Sequence, residues 1–83
     1  MYFVYAIHNS NHNKLYIGQT HDLDLRIKMH NEKILEKSYT SRFEGEWKLI
    51  YSEKAETRQA ALKRERQLKS YRGRQFLKQY IPR

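Results

Sequence analysis

Glu65 is the first candidate for a catalytic or metal-binding role, because it is the only acidic residue in the last third of the chain. In the helix predicted there, at about 100° per residue, Glu65 lies midway between Leu62 and Leu68, so its carboxylate points toward the body of the protein. An inward carboxylate must be hydrogen-bonded, ion-paired or bound to a metal, because leaving it desolvated and unpaired is costly. Taken alone, the pattern favours a salt bridge, to Lys69 or to an arginine across the core, over a metal ligand.

Arg26 and His30 are a second pair with chemical capability, one turn apart in another predicted helix. His30 falls within the apolar stripe formed by Leu23, Ile27 and Ile34, and Arg26 lies at the edge of that stripe. A histidine in such a stripe is by default a buried residue hydrogen-bonded to a neighbour. An arginine at its edge is by default a surface charge, so spacing alone assigns neither residue a reaction.

Two tyrosines, Tyr5 in FVYAI and Tyr16 in LYIG, occupy stretches with the aromatic and β-branched composition of strands. Gly18 follows the second of them closely and lets another group approach the backbone there. Tyrosines in strands usually contribute packing, and periodicity says no more about these two.

The elements that position these residues follow from hydrophobic pattern and turn signals. Strands are predicted at residues 2–8, 14–19 and 47–52, the first two joined as an antiparallel hairpin through the polar turn at 9–13. One helix, capped by Thr20 or Asp22, runs to about residue 37, a second spans 58–71 and ends near Gly73, and a last helical piece spans 74–81. The order β-β-α-β-α-α describes a small single α/β (α+β) domain, with helices flanking a three-stranded antiparallel or mixed sheet.

Charge is distributed unevenly over the 83 residues of the chain, which is the length of one small domain. Residues 1–57 carry eight basic and eight acidic side chains, whereas residues 58–83 carry nine basic side chains and one acid. A one-sided basic block that includes Tyr71, Phe76 and Tyr80 is typical of a protein that binds a polyanion, nucleic acid above all. The alternative is a solvated basic helix that serves solubility.

The absence of cysteine excludes a disulfide framework, a thiolate zinc site and a cysteine nucleophile, and it favours a reducing, intracellular setting. The apolar run at residues 2–7 is too short to span a bilayer. We therefore expect a cytoplasmic protein that does not associate with membranes.

The residues also carry a resemblance that extends over almost the whole chain, as six elements in a fixed order and spacing. They are Phe3-Val4-Tyr5 leading to Tyr16-Ile17-Gly18, then Gln19-Thr20, Asp22-Leu23 with Arg26 and His30-Asn31, Tyr39-Thr40, Trp47-Lys48-Leu49-Ile50-Tyr51, and Ala61 with Glu65 and Lys69. The series resembles a GIY-YIG nuclease domain, most closely the small stand-alone members related to the nuclease domain of the excision-repair protein UvrC. The resemblance implies one such domain over residues 1–83, a divalent-metal-dependent endonuclease that hydrolyses DNA phosphodiester bonds in repair or recombination.

The resemblance implies roles for individual residues as well. Tyr5 and Tyr16 match the tyrosines of the two motifs, Arg26 the arginine that stabilises charge on the scissile phosphate, His30 the histidine one turn later, and Glu65 the glutamate that holds Mg²⁺ or Mn²⁺. Contacts with nucleic acid are expected from Gln19, Arg64, Lys69, Arg72 and Arg74. Two departures stand out: the first motif reads Phe3-Val4-Tyr5 instead of Gly-Ile-Tyr, and Gln19 replaces a lysine that some members have near the attacking water.

The hairpin register decides whether Tyr5 and Tyr16 can act on one phosphate. A four-residue turn with His8 opposite Asn13 places Tyr5 directly opposite Tyr16, with both side chains on one face of the sheet. A five-residue turn would place Tyr5 opposite Ile17. A tyrosine with its ordinary pKa of ~10 needs help to accept a proton at neutral pH, so which of the two is the base stays open.

Two other classes of protein fit part of the pattern. One is a binding module that keeps the fold and recognises nucleic acid without cutting it, and the other is an interaction domain whose basic segment meets an acidic partner. The intact set of Tyr5, Tyr16, Arg26 and Glu65 favours the enzyme. Larger members carry an added DNA-targeting domain, so we expect a protein partner to supply targeting here, with DNA as substrate and RNA as the alternative.

Overall fold

Three strands form an antiparallel sheet that is covered by three helices in the computed structural model, which describes residues 1–32 and 39–82. The strands are β1 (Tyr2–Asn9), β2 (Lys14–Thr20) and β3 (Trp47–Ala55), the helices are α1 (Leu23–Asn31), α2 (Arg58–Lys69) and α3 (Tyr71–Lys78), and a 3₁₀ turn covers Thr40–Arg42. The strand order is β2-β1-β3, and both pairs are antiparallel. The predicted fold class and the order β-β-α-β-α-α are confirmed, with the sheet antiparallel rather than mixed.

The central strand β1 separates two apolar clusters because its successive side chains point to opposite faces of the sheet. Val4 and Ala6 pack with residues of α2 and α3, including Leu68. Tyr5 and Ile7 face the other way and pack with Trp47, Tyr16 and residues of α1. Both candidate tyrosines therefore lie on the face that α1 covers.

The observed hairpin register differs from both predicted ones. Asn9 pairs with Lys14 across a four-residue turn, which places Tyr5 opposite Gly18 and Tyr16 opposite Ile7. The strand extends one residue further than expected because the Asn9 side chain is buried and donates to the Glu44 carbonyl oxygen at 2.9 Å. Direct pairing of the tyrosines is thus wrong, but their shared face is confirmed, since Ile7 lies two residues along from Tyr5.

Asp22 begins α1, and its side chain accepts from the Leu25 backbone N–H at 3.1 Å. Of the two predicted caps, Thr20 instead receives the Asp22 backbone N–H, also at 3.1 Å. The helix ends at Asn31, with Glu32 as its C-cap. The rest of the predicted helix, residues 33–37 with Ile34, lies outside the described residues.

The boundary between the last two helices was predicted wrongly. The α2 helix ends at Lys69, and the side chain of Ser70 accepts from the Gly73 backbone N–H to cap α3. Gly73 therefore lies inside a helix and does not end one. A Cβ at this position would overlap the Gln67 carbonyl oxygen and the Leu68 Cα, so the glycine permits close contact between α2 and α3.

None of the helices in the described part of the chain has the length and apolar character that crossing a membrane requires.

Candidate active site

A buried chain of side-chain hydrogen bonds forms the floor of the candidate site. The Tyr5 hydroxyl lies 2.9 Å from His30 Nε2, and His30 Nδ1 lies 2.7 Å from the Thr40 hydroxyl. All three residues are at most 1 % exposed. Either neutral tautomer of His30 satisfies both bonds, because each hydroxyl can donate or accept. The histidine is buried as the helical pattern predicted, and its partners come from β1 and the 3₁₀ turn.

Electrostatics keep this floor uncharged at neutral pH. Burial, and secondarily the charge of Arg26, lowers the pKa of His30 to about 4. Burial raises the pKa of the Tyr5 hydroxyl well above its ordinary value, and Tyr16 adds to this rise, while Arg26 lowers the pKa and Glu65 raises it further. The side chains of Tyr16, Arg26 and Glu65 thus all contribute to the electrostatic environment of the Tyr5 hydroxyl.

The shifted pKa of His30 predicts that the protein loses stability as the pH falls. An unfolded chain has the ordinary histidine pKa of 6.5, so below that value the unfolded state binds more protons than the native state, down to the native pKa of about 4. The loss between pH 7 and pH 5 is on the order of 2 kcal/mol, which lowers the melting temperature by about 10 °C for a domain of this size. Thermal unfolding at both pH values measures it.

The matching variants are His30→Gln and His21→Gln, the second at an exposed histidine. The first should flatten the dependence of the melting temperature on pH, whatever it does to stability at pH 7, and the second should leave the dependence unchanged. If His30→Gln showed the parental slope, the acid sensitivity would belong to other groups.

Gly18 makes room for the Tyr5 ring across the hairpin. A Cβ at residue 18 would lie 2.8 Å from the Tyr5 hydroxyl oxygen and 3.0 Å from Tyr16 Cε2. The predicted close approach at this glycine is therefore confirmed, and the group that approaches is Tyr5 itself. The ring centroids of Tyr5 and Tyr16 are 6.3 Å apart.

Tyr16 is the more accessible of the two tyrosines. It is half-buried and lines a cavity of about 300 Å³ together with Tyr39, Lys69 and Arg74. Its ring centroid lies 5.0 Å from that of His30, and Tyr39 stacks on it at 6.3 Å. Tyr16 therefore joins the buried floor to an open cavity, whereas Tyr5 lies beneath.

Glu65 is oriented inward, as the sequence predicted, and it has one of its predicted partners. The Lys69 ammonium donates to its carboxylate at 2.8 Å, and the Glu65 side chain is only 18 % exposed. The buried residues of α2 are Ala61 and Leu68, while Leu62 is exposed, so the inward face is centred nearer Ala61 than expected. The carboxylate lies on that face, one turn from Ala61.

The donor set at Glu65 fits a hard divalent cation. Within residues 1–32 and 39–82, no three histidine, cysteine or acidic side chains converge as a metal-binding group. Mg²⁺ and Mn²⁺ can be held by a single carboxylate, because such ions keep several waters and complete their shell with phosphate oxygens. Lys69 competes with the ion for the same carboxylate.

Arg26 and Gln19 meet at a second cavity, of about 290 Å³, which Arg58 also lines. Arg26 is half-buried and makes no ion pair among the described residues. Arg58 was not singled out by the sequence analysis as a site residue. Helical spacing could have identified it, because Arg58 lies seven residues before Glu65 and thus on the same face of α2.

The remaining predicted contacts divide into two groups. Arg74 shares the cavity of Tyr16 with Lys69, and its Nε donates to the Lys69 carbonyl oxygen at 3.1 Å. Arg64 and Arg72 line a different cavity, and Arg64 pairs with Glu53 at 2.9 Å. The structure therefore brings Lys69 and Arg74 to the candidate site, but not Arg64 and Arg72.

Trp47 anchors the chain on both sides of the residues between α1 and the 3₁₀ turn. The Asn31 side chain donates to the Trp47 carbonyl oxygen at 3.0 Å and accepts from the Trp47 backbone N–H at 2.7 Å. The Trp47 indole donates to the Thr40 carbonyl oxygen at 3.2 Å. His30 and Thr40 are thereby held at the spacing that their own hydrogen bond requires.

Comparison with known proteins agrees with the resemblance in the sequence. The family model described as the GIY-YIG catalytic domain matches residues 1–79. The solution NMR structure of a UPF0213 protein from Bacillus halodurans is similar to this chain, with 28 % sequence identity and a TM-score of 0.53. The match covers 93 % of this chain and 82 % of that one. No match was found among the curated proteins.

Proposed function

The chain belongs to the GIY-YIG nuclease family, and on that premise we propose that it is a divalent-metal-dependent endonuclease that hydrolyses phosphodiester bonds in DNA. The observation that carries the proposal is the placement of four residues: Tyr5 and Tyr16 lie with ring centroids 6.3 Å apart on the sheet face that α1 covers, and α1 carries Arg26. Tyr16 lines a cavity with Lys69, whose ammonium is paired with Glu65 at 2.8 Å. A phosphodiesterase needs a proton acceptor, a cation for the phosphate and a metal ligand in one place, and these residues supply those groups. The cellular role belongs to DNA repair or recombination in the cytoplasm, with targeting supplied by a protein partner.

Arg26 is the phosphate-binding residue in this mechanism. Its planar guanidinium can donate two hydrogen bonds to the non-bridging oxygens of the scissile phosphate, a geometry that an ammonium cannot reproduce. It is half-buried and without an ion pair among the described residues, so none of their carboxylates has to be displaced before it binds the substrate. Arg58 and Gln19 line the same cavity and extend this surface.

We assign proton transfer to Tyr16 and positioning to the pair of Tyr5 and His30. Tyr16 faces an open cavity that water can enter, whereas Tyr5 is 1 % exposed and its pKa is raised. The hydrogen bond between Tyr5 and His30 fixes the ring that lies beside Tyr16. Glu65 would hold Mg²⁺ or Mn²⁺, which when bound supplies positive charge at the phosphate and lowers the pKa of a water molecule.

A cleavage assay tests the proposal directly. Labelled duplex, branched, single-stranded and RNA substrates are incubated with the full chain in Mg²⁺, in Mn²⁺ and in EDTA. We expect cleavage that needs the metal and that stops in EDTA. Binding of these substrates without any cleavage across the panel would contradict the enzymatic assignment.

One contact favours a second candidate, a nucleic-acid-binding module with the same fold. The ion pair between Lys69 and Glu65 at 2.8 Å satisfies the inward carboxylate without any metal. A module that only binds would keep this pair when Mg²⁺ or Mn²⁺ is added. Perturbation of the Lys69 and Glu65 side-chain NMR signals by either ion separates the two candidates.

Salt dependence tests which charges hold the substrate. Because Lys69 and Arg74 flank the cavity of Tyr16, changing both to glutamine should lower the slope of log affinity against log salt by about 0.9 per phosphate contact on duplex DNA. The matched control is Lys63→Gln with Arg66→Gln, two exposed cations on α2 outside both cavities. Equal losses in the two double variants would show that only total charge matters.

A further inference from the structure

A cleft of about 410 Å³ lies beside the candidate site, between the start of β2 and α3. We name it the tyrosine cleft, and its lining includes Lys14, Tyr39, Tyr71, Arg74 and Lys78. Its volume falls within the range of pockets that bind small organic groups, which extends upward from about 300 Å³. A single nucleobase with its sugar fits such a space.

Tyr71 is the unexplained residue of the tyrosine cleft. It is 78 % exposed, and it makes no ring contact with any described residue. It stands at the first position of α3, where the cap from Ser70 already stabilises the helix without help from the tyrosine side chain. The fold therefore gives no reason for a large aromatic ring at this position, whereas a ligand that stacks would.

The charge of the tyrosine cleft indicates which class of ligand it binds. Lys14, Arg74 and Lys78 line it, and no acidic side chain of residues 1–32 or 39–82 does. A planar ligand that satisfies both features carries negative charge close to an aromatic group. Nucleotides combine these properties, since each base has a face that stacks and a phosphate beside it.

The tyrosine cleft continues into the cavity of Tyr16. Leu15, Tyr39 and Arg74 line both spaces, and the Tyr39 ring stacks on that of Tyr16. Arg74 is held at the junction by its hydrogen bond to the Lys69 carbonyl oxygen. A strand bound at Tyr16 can therefore pass along Arg74 and reach Tyr71.

We propose that the tyrosine cleft binds an unpaired nucleotide, whose base stacks on Tyr71 and whose phosphates contact Lys14, Arg74 and Lys78. The position of that nucleotide beside the cleaved bond rests on the proposed function, but the binding itself does not. A base inside a duplex is already stacked on its neighbours and cannot turn toward the tyrosine ring. The cleft thus makes the protein select nucleic acid that is single-stranded next to the site.

The test is the affinity of Tyr71→Ala for labelled oligonucleotides, measured by fluorescence anisotropy in EDTA so that no cleavage occurs. The probes are one DNA sequence as a single strand and as a blunt duplex, with the RNA single strand as a third. We expect Tyr71→Ala to weaken single-strand binding about tenfold, because base stacking on an aromatic ring is worth about that much. Duplex binding should change little, and Tyr71→Phe should retain the parental preference.

The control is Tyr80→Ala, which removes a tyrosine that is also exposed but lies outside the tyrosine cleft. It should leave the preference for single strands unchanged. Equal weakening on single strand and duplex, or none on either, would overturn the proposal. Polyglutamate that competed as well as the single strand at equal charge would also overturn it and assign the cleft to an acidic peptide.

These experiments test the nuclease assignment and the tyrosine-cleft proposal separately, so either one can be contradicted while the other holds. If the protein cut none of the substrates but Tyr71→Ala lost its single-strand preference, the nuclease assignment would fall and the cleft would stand. If the protein cut duplex and single strands alike and Tyr71→Ala changed nothing, the cleft would fall and the nuclease would stand.

Discussion

Replacement of Glu65 by glutamine is expected to reduce cleavage about a thousandfold while DNA affinity is kept or slightly increased. A bound metal ion contributes several kcal/mol of charge stabilisation to the transition state, and each ~1.4 kcal/mol is a factor of ten in rate. The amide cannot replace the carboxylate charge that holds the ion. Affinity does not fall, because the change releases the Lys69 ammonium from its ion pair and adds to the positive surface.

Single-turnover cleavage and anisotropy on the same duplex measure the two effects separately. Glu56→Gln, at an exposed acid just before α2, is the matched control and should cut at the parental rate. Parental cleavage by Glu65→Gln in Mg²⁺ would remove Glu65 from the metal site. A loss of binding equal to the loss of cleavage would make the residue structural.

The second large effect is expected at Arg26. Arg26→Gln should lower the cleavage rate about a hundredfold to a thousandfold, as removal of a donor aimed at transition-state charge does in other enzymes. Arg26→Lys keeps the charge but loses the fork of two donors, so it should restore only part of the rate. The measurement is the rate under saturating substrate for the parent and both variants.

Arg26 also has a readout that does not depend on activity. Its charge is the second cause of the low pKa of His30, after burial. Arg26→Gln should therefore raise the pKa of His30 above about 4, and Arg26→Lys should leave it nearly as low. An NMR titration of His30 follows the shift, and an unchanged pKa in Arg26→Gln would mean that the guanidinium lies too far from the floor of the site to serve it.

The sequence was informative wherever the property depends on local periodicity. The inward position of Glu65 and the burial of His30 follow from the 3.6-residue period, and both are observed. The Lys69 partner of Glu65 lies four residues away, so it too was within reach of the pattern. These predictions needed no knowledge of how the elements pack.

What the sequence could not supply are contacts between residues far apart in the chain. Tyr5 and His30 are 25 residues apart, and their hydrogen bond exists only because α1 lies on that face of the sheet. The observed register differs from both predicted ones, and Asn9, which ends β1, is held by a carbonyl 35 residues away. A slip of one residue changes every cross-strand partner, so local turn signals were not sufficient.

Helix boundaries show the same limit on a smaller scale. Gly73 has the composition of a helix end, but Ser70 provides the cap, and α2 lies so close that only glycine fits at residue 73. Arg58 was within reach of the periodicity that singled out Glu65, yet the cavity it shares with Arg26 depends on how α1 and α2 are placed on the two faces of the sheet. Tertiary packing, and not local helix propensity, determines both the helix boundary near Gly73 and the cavity that Arg58 shares with Arg26.

The two-sided anchoring by Trp47 makes the floor of the site depend on a residue that is not part of it. The indole and backbone of Trp47 hold Asn31 and Thr40. Asn31 directly follows His30, so these contacts also fix the distance that the hydrogen bond from His30 to Thr40 spans. Descendants of this chain that keep Asn31 and Trp47 therefore inherit His30 and Thr40 in register with Tyr5.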